Sequence, residues 1–170
     1  TVNFSVASGL AGTVNVAGGT LNIGANGAFV SGTDVNLSGG GVIYLQFGSN
    51  TVDDLAMSGG TMLTQGNLVV TGAITSPSGT SFVGQSSGAI SLPSNASISV
   101  TSSGADYLNV SGPIVTGSFT KTGAGKLVLG TFGTNTFSGT NTVSAGTLRG
   151  SAQAIGTVVN NANVELVGGA

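Results

Sequence analysis

Apolar residues alternate with polar ones over three to five positions, and then a glycine-containing turn intervenes. One unit recurs: apolar, Asn, apolar, small. It appears as Val2-Asn3-Phe4-Ser5, Val14-Asn15-Val16-Ala17, Leu21-Asn22-Ile23-Gly24, Val35-Asn36-Leu37-Ser38 and Leu108-Asn109-Val110-Ser111. Strand side chains point alternately to opposite faces, so the two apolar residues face inward and the Asn outward. Asn is depleted in ordinary strands. Five outward occurrences predict Asn ladders between stacked strands. No window has the 3.6-residue periodicity of a helix, and the prolines Pro77, Pro93 and Pro113 fall between runs.

Runs this short cannot form hairpins with a core of their own. They suit a coil in which each run stacks on its equivalent one turn away. The expected fold is all-β: a right-handed parallel β-helix (β-solenoid) of about seven turns of 22–26 residues, with no α-helix. The turns are grouped as runs at 2–6, 13–16 and 20–23; 28–30, 34–37 and 42–47; 51–57, 61–64 and 67–70; 73–74, 81–83 and 89–92; and 97–100, 107–110 and 114–121. Residues 1–170 form a single domain. Phe4 and Phe29, Phe82 and Tyr107, and Tyr107 and Phe132 are each 25 apart. Stacked core aromatics and chance spacing explain this equally well.

The stretch from Phe119 to Arg149 is a series of short β-like runs, each closed by Gly. It holds Lys121, Gly123, Gly125, Leu127 and Leu129, then Asn135-Thr136-Phe137 and Gly139, then Thr142-Val143, and finally Ala145-Gly146-Thr147-Leu148. This pattern resembles the autotransporter-associated β-strand repeat of bacterial secreted passenger domains. It departs in having Phe137 where Tyr is commoner and in a long turn at 130–134. Leu127, Leu129, Phe137, Val143 and Leu148 are expected to point inward. The resemblance implies an extracellular or bacterial cell-surface location, and a stalk or scaffold role.

Composition narrows the function classes. Glycine is 31 of 170 residues, and charged residues are only 5% against a usual quarter. Lys and Arg total 3, so no basic surface exists for nucleic acid. No apolar run is long enough for a membrane helix. Cysteine is absent, which fits an exported chain.

Candidate chemistry is sparse. Gly84-Gln85-Ser86-Ser87-Gly88 fits a nucleophile elbow, but the chain has no His to serve as base. Gly123-Ala124-Gly125-Lys126 lacks the flanking residues of a phosphate loop. Asp53-Asp54 is the only adjacent acid pair. Adjacent strand residues face opposite ways, so both serve one cleft only at a corner. Asn50 is a candidate further oxygen for a structural calcium site there, and Asp34, Asp106 and Glu165 lie elsewhere in the chain. Lys121, Lys126 and Arg149 read as solvated positions.

The expected function is therefore a non-catalytic structural or adhesive solenoid: a passenger shaft, surface fibre or matrix (biofilm) component. No catalytic, cofactor-binding or metal-binding residues are assigned, no cofactor is expected, and no hydrolysis should depend on Ser86, Asp53 or Asp54. The expected partners are the chain itself, head to tail or laterally, neighbouring parts of the same surface protein, and host or matrix glycans. The ends look uncapped, which suggests either a filament or a slice of a longer adhesin. The alternatives are a ligand-binding solenoid (glycan or ice) and, less favoured, a polysaccharide-degrading β-helix enzyme.

Overall fold

The computed structural model of the chain describes residues 1–6, 9–84, 87–130 and 133–167. Ser86 and Phe132 lie outside the described residues. The structure is a parallel β-solenoid with three sheets running along its axis. The first sheet has nine strands, from Val2–Phe4 to Asn163–Leu166; the second has eight, from Leu10–Val16 to Val158–Asn160. The third has four, Ser49–Val52, Asn67–Val70, Ile90–Ser91 and Ile114–Thr116. Every recorded strand pairing is parallel. The eight strands of the second sheet span about seven turns.

Alternation fixes which side chains enter the coil. Down the first sheet Leu21, Ile43, Met62, Val83, Val110 and Leu129 stack in register and are buried. Down the second, Val35, Leu55, Ile74 and Ile98 form a matching column. Each such side chain removes about 1.5–3 kcal/mol worth of apolar surface from water. Leu127, Leu129, Val143 and Leu148 point inward as expected. Phe137 is half-buried and packs edge-to-face on Phe119 at 5.6 Å.

The outward Asn residues do form ladders at the N-terminal end. Asn22 Nδ2 donates to Asn3 Oδ1 (2.7 Å), and Asn36 Nδ2 donates to Asn15 Oδ1 (2.8 Å). Asn109, in the same motif, instead accepts from Ser111 Oγ at 2.9 Å.

Three expectations need correction. Runs 2–6 and 20–23, grouped in one turn, stack on each other in successive turns, with Val2 against Leu21. Runs at 51–52 and 67–70 are likewise stacked, with Thr51 against Val69. Stacked strands are only 19 and 18 residues apart here, fewer than the 22–26 expected, so a full turn fits where part of one was expected. The aromatic column also fails. Phe4 stacks on Ile23 in the first sheet, whereas Phe29 stacks on Leu10 in the second. Phe82 and Tyr107 do meet, at 6.1 Å, but on the outer face and not in the core. Finally, one helical turn exists, Ala152–Ile155, because the Ser151 side chain accepts from Ala154 N and nucleates it.

Candidate functional site

The acid pair lies at a corner, between strands Ser49–Val52 of the third sheet and Leu55–Ser58 of the second. Here Asp34, Asp53 and Asp54 accept hydrogen bonds from neighbouring turns. Asp54 N donates to Asp34 Oδ1 (3.3 Å), and Ala73 N donates to Asp54 Oδ1 (2.7 Å). Thr71 Oγ1 donates to Asp53 Oδ1 at 2.9 Å. Three aspartates thus bind the corner from one turn to the next, each used as an acceptor.

Asn50 does not join them. It is fully buried, its Oδ1 accepting from Phe29 N (3.0 Å) and its Nδ2 donating to Ala25 O (3.2 Å). Asp106 accepts from Thr80 Oγ1 at 3.4 Å, and Glu165 faces Arg149 at 3.9 Å. Among the described residues no group of three or more His, Cys, Asp or Glu is placed to hold a metal ion.

The unexpected feature is Lys121. Its side chain is fully buried, not solvated, and follows Ile98 and precedes Val143 in the apolar column of the second sheet. The error was one of parity: Phe119 faces inward, so Lys121, two residues on, must also. A buried ammonium survives only when hydrogen-bonded. Here Lys121 Nζ donates to the carbonyls of Thr122 (2.8 Å) and Gly123 (2.7 Å) in its own turn. It also donates to Ala145 O (3.0 Å) in the next. The ammonium therefore ties the corners of two successive turns together.

Burial pulls the Lys121 amine down from 10.5 to about 8, while its carbonyl partners favour the charged form. Desolvation wins, so the folded state holds its proton less tightly than the unfolded chain. The penalty is full below pH 8 and is relieved as pH rises toward 10.5, by at most ~3 kcal/mol. Comparing urea unfolding of the native chain and Lys121→Met from pH 7 to 10.5 should show the native chain gaining stability relative to the variant. A constant difference across that range contradicts the burial of the charge.

A second buried polar group serves the same strand pair. Asn141 is fully buried; its Oδ1 accepts from Phe119 N (3.0 Å) and its Nδ2 donates to Ile155 O (3.0 Å). This repeats the arrangement of Asn50 with Phe29.

The strands that carry Lys121 and Asn141 bound a stretch of distinctive sequence. Residues 119–149 match the family model described as Passenger-associated-transport-repeat. No curated protein and no solved structure matches the chain. The passenger repeat is not a separate module. Its strand Phe119–Thr122 pairs with Ala96–Val100 on one side and Asn141–Val143 on the other, and Lys126–Leu129 pairs with Tyr107–Val110 and Thr147–Gly150. A passenger-type repeat thus continues without a break into the rest of the coil, which fits an extracellular, structural solenoid. Lys126 and Arg149, unlike Lys121, lie partly or largely exposed on the outer face, as expected.

Proposed function

We propose that the chain is a length of extracellular, non-catalytic shaft, located at a bacterial surface, that acts by self-association or adhesion. The observation that supports it most is the continuity of the passenger repeat with a regular parallel coil. Self-association has its own support. Among the described residues, five of the seven large exposed apolar side chains (Val2, Val6, Val159, Leu166 and Val167) belong to the first and last rows of the coil. At the first row, Val2, Phe4, Val14, Val16 and Leu21 surround an open cavity of about 320 Å³. A further row of the same kind, from another copy or from the same polypeptide, would fill it and complete the sheet. Sparse charge offers little repulsion against such contact.

Light scattering of the 170-residue chain over a concentration series is the test. Mass rising with concentration is expected, and Val2→Asp with Leu166→Asp should suppress it. A constant monomer mass at high concentration contradicts self-association.

A second reading, adhesion to neutral glycans, is favoured by the outer face of the first sheet. Tyr44, Leu63, Phe82 and Tyr107 lie there half-buried, with Phe82 and Tyr107 in edge-to-face contact. Aromatic rings with a polar tip suit such a surface.

A further inference from the structure

Strands built on one plan carry a hazard: a slip of two residues keeps every apolar side chain inside. The pairing of Phe119–Thr122 with Asn141–Val143 is exposed to it, since only two residue pairs define its register, Thr120 with Thr142 and Lys121 with Val143. The connection before Asn141 contains no strand among the described residues. It is held to the preceding turn at Thr136 and Ser138, whose N–H groups donate to Ile114 O (2.8 Å) and Gly117 O (2.9 Å). The register of residues 141–143 is therefore not set by a continuous ladder from Lys126–Leu129. Apolar packing alone distinguishes these registers weakly. Val143 would still face the interior after a slip.

The two buried polar side chains do distinguish them. At the start of the pair, Asn141 Oδ1 reaches Phe119 N only when residue 141 lies beside residue 119. At its end, Lys121 Nζ reaches Ala145 O only when the corner after Val143 lies over the corner after Thr122. Both side chains have no solvent exposure, so water cannot replace a lost partner. A slipped register would strand an ammonium and a carboxamide in the core, whereas apolar residues there would accept either register. Buried polar groups fix register in this way where packing is permissive.

We propose that Lys121 and Asn141 together act as a register lock, fixing the passenger-type repeat to a single alignment with the next turn. The lock holds from both ends of the strand pair, so either group alone retains the alignment and losing both releases it.

The test uses disulfide trapping, which is clean because the chain has no cysteine. Thr120→Cys with Thr142→Cys reports the native register. Thr120→Cys with Ser144→Cys and Thr122→Cys with Thr142→Cys report the two-residue slips in either direction. In the native register such diagonal pairs are about 7–8 Å apart, beyond disulfide reach. Each pair is placed in four backgrounds: unchanged, Lys121→Met, Asn141→Leu, and both. The native pair is expected to bridge in the first three, and the slipped pairs to bridge about tenfold faster or more in the double background than in the unchanged one. Slipped pairs that stay unbridged in a cooperatively folded double variant overturn the lock. If that variant does not fold, Lys121→Ile with Asn141→Val is the second combination. A double variant that bridges all pairs as the urea-unfolded chain does assigns the two residues to bulk stability and also overturns the proposal.

Discussion

Phe119→Ala is expected to cost about 3–5 kcal/mol of stability, among the largest effects of any single truncation in this chain. Phe119 is fully buried and stacks on Ala96, whose methyl group cannot expand into the space a missing ring would leave. Its other wall is Phe137, in edge-to-face contact. The cost combines lost transfer energy with a cavity, and partial inward movement of half-buried Phe137 sets the lower limit. Urea unfolding monitored by circular dichroism measures it. A change below about 1 kcal/mol would place the ring outside the core.

Gly146→Ala is expected to cost about 2–5 kcal/mol. Gly146 has φ of +70°, a conformation that costs a side chain about 1–2 kcal/mol. A Cβ there would also press on the carbonyl oxygens of Gly123 and Gly125 in the preceding turn. Those are backbone atoms that cannot swing aside, and overpacking of this kind adds about 1–3 kcal/mol. Gly40 separates the two terms. It has φ of +75° with open space around it, so Gly40→Ala should cost only the conformational part. Equal losses at the two positions would show that the close approach of successive turns at Gly146 contributes nothing.

Much of this was legible from the sequence because a parallel coil is close to a one-dimensional object. Alternation placed Leu127, Leu129, Val143 and Leu148 inside without knowledge of the turns. Recurrent outward Asn residues predicted ladders, and Asn3–Asn22 and Asn15–Asn36 form them. The phase of the coil was harder. Most strands in all three sheets are three to five residues long, so nothing local tells that Val2–Phe4 and Thr20–Ile23 belong to one sheet.

The interior polar groups were the larger omission. A charged side chain is ordinarily solvated, and that expectation outweighed the parity that put Lys121 beside Phe119 on the inner face. Its partners are backbone carbonyls, which leave no signature in the sequence beyond the glycines that let turns approach. Asn50 and Asn141 were obscure for the same reason: each satisfies a backbone N–H one turn away. Asp53 and Asp54 do lie at a corner, the one setting in which alternation lets adjacent residues work together. Asp34, which lies 19 residues before Asp53, accepts from Asp54 N and is brought to that corner only by the coil.

The central claim is a parallel coil with a defined register, in which residue 109 lies beside residue 128. Asn109 and Val128 both face outward and are half-exposed, so cysteines there disturb no core contact. Adjacent strands lie about 4.8 Å apart, within the Cα separation a disulfide accepts. Asn109→Cys with Val128→Cys should therefore bridge completely under mild oxidation in the folded protein. Asn109→Cys with Arg149→Cys, two strands apart, should remain reduced. Failure of the first pair to bridge, or equal bridging of both, would contradict the coil described here.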